Sequence, residues 1–411
     1  MGLRKNLGTE YSPTLFLASL GNGGMAVAFY VYLHFMIKHV KIDVAGHDKP
    51  VTVPMAEFNA VKQAITGGDM ITSVLVGLTL VAIMVFAVRH YFFLFWNLSE
   101  LKTFKQTPAY QELLNSNREI SLASIPLTLG MSINVFFVVA AVFVPGVWSI
   151  VEYLFPGALL GFLAVGIYAT QIFVKFFSRA LATGDLNCAE NNSLSMMIAV
   201  FAFSMLAVGF AAPGAMSTTL LTSALGIIGS TFFLSATVLM GMMTLFMGFR
   251  AMMEHGINKE NSPTIWILVP ILTLIGITVV RVDHGLHMNL SVHTDPGGLF
   301  TSLFFMTSLQ VLFGLMGWFV MKKVGYFEEF INGESKSHMS YALICPGVAF
   351  FVFGLFTLNM GLARPMEMGN PESAVIAKFG IAYWIIVAAL AFIQLKTILM
   401  IFKLDKKLLM D

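Results

Sequence analysis

Ten apolar runs, each long enough to cross a bilayer, divide this chain: roughly 13–36, 70–96, 124–146, 148–176, 193–213, 217–249, 263–281, 298–321, 339–362 and 375–402. About 20 helical residues match a hydrocarbon core of roughly 30 Å, and in lipid only helices or closed barrels satisfy their own backbone groups. Runs of this length read as helices. Hydrophobic residues make up 57% of the 411 positions and charged residues 11%, too few charges to clothe a soluble domain of this size. The expected fold is therefore an all-α polytopic membrane protein, a single transmembrane domain spanning residues 1–411.

The ten runs group into five hairpins, at about 12–96, 124–176, 193–249, 262–321 and 339–402. Odd runs open on Ser12-Pro13, Ser124-Ile125-Pro126, Ser193-Leu194-Ser195, Ser262-Pro263 and Ser340-Tyr341. Ser124 to Ser193 and Ser193 to Ser262 are each 69 positions, and Ser262 to Ser340 is 78. The first interval is lengthened by an outer loop near 37–69 and by residues 99–121, which read as a short amphipathic surface helix. Even runs end alike, in FFLFW before Lys102, FVKFFSR, LFMGFR, WFVMKK and LMIFKLDKK, aromatic and basic anchors for one membrane interface. Such a repeat suggests a quasi-fivefold ring around a central pore.

Orientation follows from Lys and Arg. The N-terminus, the even-to-odd connections (among them Arg89) and the C-terminus hold sixteen, against seven on the other face, which places both termini in the cytoplasm. The polar start MGLRKNLGTEYSP has no cleavage site, and Asn6 stands where a myristoylation motif wants Ser or Thr. Cys188 and Cys345 form no disulfide or metal framework, and the 27 methionines read as packing.

The odd runs read as interrupted near their middle, by Gly21-Asn22-Gly23-Gly24, by Gly130 and Asn134, by Pro270, and by Cys345-Pro346-Gly347. Freed backbone groups at membrane depth are tolerated against protein or a water-filled cavity. The odd runs should therefore line an interior, and the Leu-, Ile-, Val- and Phe-rich even runs should face lipid or neighbouring subunits. Few ionisable residues fall in the odd cores, which argues against a proton pump. Asn22, Ser132, Asn134, Ser195, Ser204, Thr264 and Thr273 are candidate pore-lining groups able to hold an anion, although Ser and Thr in spans often bond back to their own helix.

Charge gathers elsewhere. Glu152 sits early in the fourth run, and Lys396 can snorkel from the tenth. Arg281, Asp283, His284, His287 and His293 lie just outside the seventh run. Arg281, His284 and His287 are candidates for an outer vestibule that funnels anions; His284 and His287 could alternatively share a helical face and bind metal, and a solvated loop would explain the cluster as well.

Ten spans in five hairpins with kinked odd helices resemble the tellurite-resistance/dicarboxylate transporter family, which includes the slow-type guard-cell anion channels of plants. The likeness covers the whole chain and rests on architecture and helix texture. It implies a homotrimer in a bacterial inner membrane, each subunit with a pore formed by the odd helices and occluded by a phenylalanine of the ninth span. Here SYALICPGVAFFVFGLF supplies Phe350, Phe351 and Phe353 as gate candidates, with Phe136, Phe137, Phe201 and Phe203 at similar depth in the third and fifth spans.

The expected function is thus a non-enzymatic anion channel or facilitative exporter for a small inorganic or organic anion. No cofactor, metal or nucleic-acid partner is expected. The rivals are an ion-coupled secondary transporter, disfavoured because the repeats are two spans long in a common orientation, and a haem- or quinone-binding membrane anchor. The latter needs histidines paired at depth, whereas His34, His39, His90, His255 and His338 read as lying near helix ends or in loops.

Overall fold

The computed structural model describes residues 3–42, 51–184, 192–290, 296–364 and 380–410, together with Glu372 and Lys378. Cys188 and His293 lie outside them. Among the described residues the regular structure is helical apart from a two-residue antiparallel ribbon pairing Lys41 with Thr52 and Ile42 with Val51. Among the described residues, ten helices are long and apolar enough to cross a membrane. Their α-helical segments are span 1, Phe16–Met36; span 2, Met70–Phe104; span 3, Ser124–Phe143; span 4, Val151–Thr183; span 5, Met197–Met216; span 6, Leu220–His255; span 7, Leu268–Leu290; span 8, Pro296–Lys323; span 9, Ile344–Phe356; and span 10, Ile381–Leu408.

Odd and even spans occupy different environments. Within their apolar windows, 56–94% of each odd span is buried, against 17–33% of each even span. Apolar side chains of the even spans, such as Leu78, Phe95, Leu160, Phe246, Phe319 and Ile385, therefore stay exposed in the single chain, as a lipid-facing surface requires. Span 1 packs against spans 3 and 9, span 3 against span 5, span 5 against span 7, and span 7 against span 9. The chain ends meet as well, with the Arg4 amide donating to the Leu409 carbonyl at 2.8 Å.

The interruptions lie at the starts of the odd spans, not at their middles, except that span 9 continues beyond Phe356 as a π-helical segment, Thr357–Ala363. A 3₁₀ turn precedes four of the five: Pro13–Leu15, Asn117–Ala123, Ser262–Ile267 and His338–Leu343. Span 5 opens on equivalent bonds, Met197 N–H to the Leu194 carbonyl and Ile198 N–H to that of Ser195. Ser12, Ser116, Ser193 and Ser337 accept from the backbone N–H two residues on, satisfying donors that a helix start leaves unpaired. Pro270 is the third residue of span 7 and Pro346 the third of span 9, first-turn positions that proline tolerates. Span 1 runs unbroken through Gly21-Asn22-Gly23-Gly24.

Those glycines are notches for neighbouring side chains. A Cβ on Gly21 would come within 2.7 Å of Ile344, one on Gly23 within 2.7 Å of Met131, and one on Gly24 within 3.2 Å of Val348. Gly130 receives Met205, and Gly276 receives the Phe353 ring. Small residues let membrane helices approach closely where no hydrophobic effect drives them together.

Three further expectations are corrected. Span 7 continues past 281 to Leu290, so Arg281, Asp283, His284 and His287 are on its last turns. Within 99–121 the amphipathic helix shrinks to Pro108–Leu114, because span 2 itself continues to Phe104. Arg89 and His90 lie inside span 2, not in a connection or near a helix end.

Candidate functional site

Two cavities, the second walled also by residues of spans 4 and 10 such as Phe155, Ala158, Tyr383 and Val387, border the odd spans. The first, about 530 Å³, sits at their N-terminal ends and is lined by the opening turns of all five: Pro13, Thr14 and Leu17; Asn117, Ile120 and Ser121; Ser195, Ile198 and Phe201; Thr264, Ile267 and Pro270; and Ala342, Cys345 and Pro346. Glu10, Glu112, Glu260, Arg118 and His338 stand at this N-side cavity too. Tyr11 also lines it, donating to the Asn97 side chain at 3.1 Å; burial, with the nearby Glu100 carboxylate, pushes the phenol above its ordinary pKa and keeps it a donor.

The second cavity, about 980 Å³, lies toward the C-terminal ends of the same spans. Lys38, Arg281, Arg364 and Lys378 line it together with His34, His39 and His284, and no Asp or Glu does so among the described residues. The Arg281 guanidinium is fixed by donating to the Val208 carbonyl of span 5 at 2.8 Å. The rings of His34 and His39 are 4.8 Å apart, and His39 Nε2 is 3.0 Å from the His34 carbonyl. His284 faces the cavity whereas His287 is exposed, and no cluster of three or more His, Cys, Asp or Glu is placed to hold a metal among the described residues.

The sequence period reappears in these walls. Ile198, Ile267 and Cys345 line the N-side cavity at successive steps of 69 and 78 residues, as do Phe201 and Pro270 at 69. At the same steps, Met205, Leu274 and Val352 line the C-side cavity, followed by Val208, Ile277 and Leu355 and by Ala212, Arg281 and Asn359. Within each span the members recur every three or four residues, which is one helical face.

Of the candidate pore-lining groups, Ser195 and Thr264 line the N-side cavity and Asn134 the C-side cavity. The others bond to neighbouring spans or back to their own helix. Asn22 accepts from Arg89 Nε at 2.8 Å and donates to the Ala18 carbonyl; Ser132 bonds to His90 and to the Thr128 carbonyl; Ser204 donates to the Phe201 carbonyl; and Thr273 joins Gln310 and the Ala349 carbonyl. Phe350, Phe351 and Phe353 line neither cavity: Phe351 and Phe353 are buried, Phe353 over Gly276, and Phe350 is half-buried.

Sequence reasoning missed two buried polar centres. Arg89 pairs with Asp405 of span 10, which also accepts from the Tyr341 hydroxyl at 2.8 Å, while the guanidinium lies over the rings of Phe93 and Phe402. His90 Nδ1 is 2.9 Å from the Ser19 carbonyl, which can only accept, so Nδ1 carries the proton, and Nε2 is 2.8 Å from the Ser132 hydroxyl. The available signal was an Arg-His pair well inside a long apolar run, where intramembrane polar groups mark partners on other helices.

Comparison with protein-family models, curated proteins and solved structures gives no match.

Proposed function

We propose that this protein is an anion channel or facilitative anion exporter whose five odd spans close into a ring, and that a small inorganic or organic anion passes between its two cavities. The observation that carries the reading is the C-side cavity, where four cations and three histidines face one space without a lining carboxylate among the described residues. Fixed cations in a low-dielectric wall concentrate anions, an effect that falls with ionic strength. Part of this charge offsets the carbonyl ends of the odd helices, which carry partial negative charge, while their N-terminal ends turn partial positive charge to the N-side cavity.

Ring closure is supported by the neighbour order of the odd spans, by the Gly21 and Gly24 notches that seat span 9 on span 1, and by the shared cavity lining at repeat-equivalent positions. In this reading the N-side cavity opens to the cytoplasm, as the Lys and Arg distribution favours, and the exposed even spans meet lipid and the neighbours of a homotrimer.

The test is flux from proteoliposomes loaded with chloride or nitrate. Efflux that persists without a sodium or proton gradient, and that falls when Arg281 is changed to Gln, supports the reading. Flux that requires either gradient would replace it with coupled transport.

A further inference from the structure

The C-side cavity has two unlike walls. Its basic residues come from span 1 and the chain just after it (His34, Lys38 and His39), from span 7 (Arg281 and His284), and from Arg364 and Lys378 between spans 9 and 10. Every described residue that spans 3, 4 and 5 and the turn opening span 4 contribute is uncharged, and among them only Asn134 ends in an amide. That wall is largely aromatic, with Phe137, Trp148, Phe155 and Phe162; Trp148 meets Phe155 edge to face at 6.4 Å.

Arg281 joins the two walls, since its guanidinium on span 7 donates to the Val208 carbonyl of span 5 at 2.8 Å. That is its one hydrogen bond among the described residues, which leaves most of its five N–H donors for a ligand. Nor is Lys38, Arg281, Arg364 or Lys378 in an ion pair among the described residues. Charge held away from bulk water is costly unless it is paired, so an anion completes this wall. Size decides what kind of anion. Chloride is comparable with a water molecule, which takes about 30 Å³ in the liquid, whereas this cavity holds about 980 Å³. Cavities of about 300–1,000 Å³ with aromatic walls and a few placed polar groups enclose most of the surface of a larger organic ligand. The N-side cavity suits such a ligand less: Glu10, Glu112 and Glu260 stand at it and repel an acid.

We propose that the C-side cavity is a binding site for an amphipathic organic acid taken from solution, its single carboxylate held by Arg281 and its aromatic body laid against Phe137, Trp148 and Phe155. The proposal rests on the anion reading above and names the class of anion. A guanidinium presents a planar fork that matches a carboxylate, and the bond to Val208 fixes that fork beforehand. Aromatic side chains add edge-to-face and offset contacts to the burial of a flat body.

The probes are naphthoate and its relatives, and the protein is the full chain in phosphatidylcholine nanodiscs. Equilibrium dialysis against empty discs gives the binding constants. Affinity should rise at least tenfold from acetate through benzoate to naphthoate, and malonate, with two charges and no apolar body, should bind no better than acetate. Naphthalenemethanol, the same body without charge, should bind at least tenfold more weakly than naphthoate. Arg281→Gln should bring that ratio of acid to alcohol close to one, with alcohol binding retained as the sign of an intact pocket. Phe137→Ala should lower naphthoate affinity severalfold and leave that of acetate as it was. If Arg281→Gln fails to fold, high salt on the wild type carries the charge test, weakening naphthoate and sparing the alcohol.

Equal affinity for naphthoate and its alcohol, or for naphthoate and acetate, overturns the assignment. Nitrate efflux without naphthoate binding overturns it too, while the conduit reading stands. Naphthoate binding without efflux of any anion tested supports the site and removes the conduit reading. Naphthoate binding that is lost when the discs contain phosphatidylglycerol would give the site to an anionic lipid of the bilayer and overturn the soluble acid.

Discussion

Arg89, midway along span 2, and Asp405, three residues from the end of span 10, form an ion pair across 316 positions of sequence. Arg89 also holds Asn22 of span 1, and Asp405 also holds Tyr341 from the turn that opens span 9. One buried centre thus ties the first hairpin to the last. A buried pair loses hydration that its mutual attraction must offset, so its clearest signature is the cost of removing one partner.

We predict that Asp405→Leu and Arg89→Met each destabilise the protein by about 3–5 kcal/mol, because each strands an uncompensated charge. The double variant should be less damaged than either single one. The midpoint of thermal unfolding in detergent checks this; additive losses in the double variant would show that the two side chains act independently.

Phe353 and Gly276 give a packing test. Gly276→Ala should destabilise by about 1–3 kcal/mol through overpacking, and Phe353→Ala by about 3–5 kcal/mol through the cavity it leaves. With the ring gone, the added methyl of Gly276→Ala should become neutral or favourable. Unfolding midpoints of the two single variants and the double variant complete the cycle; equal costs of Gly276→Ala in both backgrounds would refute the contact.

Both ring nitrogens of His90 are engaged by Ser19 and Ser132. The purified protein should therefore show no haem absorption attributable to this residue, and His90→Phe should cost about 1–3 kcal/mol for each partner left buried and unpaired. A Soret band that disappears in His90→Phe would restore the membrane-anchor reading.

Arg281 of span 7 and Arg364, just after the π-helical segment Thr357–Ala363 that follows span 9, line the same basic cavity. Neutralising either to Gln should lower anion efflux severalfold at low salt, with a smaller effect at high salt as screening grows. Arg281→Lys should retain most of the flux, since it keeps the charge and loses only the fork geometry that holds the Val208 carbonyl. Equal flux in wild type and both Gln variants at low salt would remove these residues from the path.

The sequence alone determined ten spans and the intervals of 69 and 78 residues, because apolar run length is a local property and lipid leaves the backbone no choice but to be helical. The periodic register carried further than expected, placing Met205, Leu274 and Val352 on one cavity wall. What Gly21, Gly23 and Gly24 do was decided by tertiary structure: a glycine reads equally as a break or as a notch until Ile344, Met131 and Val348 arrive from spans distant in sequence. The same holds for Arg89 and His90, whose partners Asp405, Ser19 and Ser132 come from other helices, so that nothing within the apolar run around them could show how their charge and hydrogen bonds are satisfied.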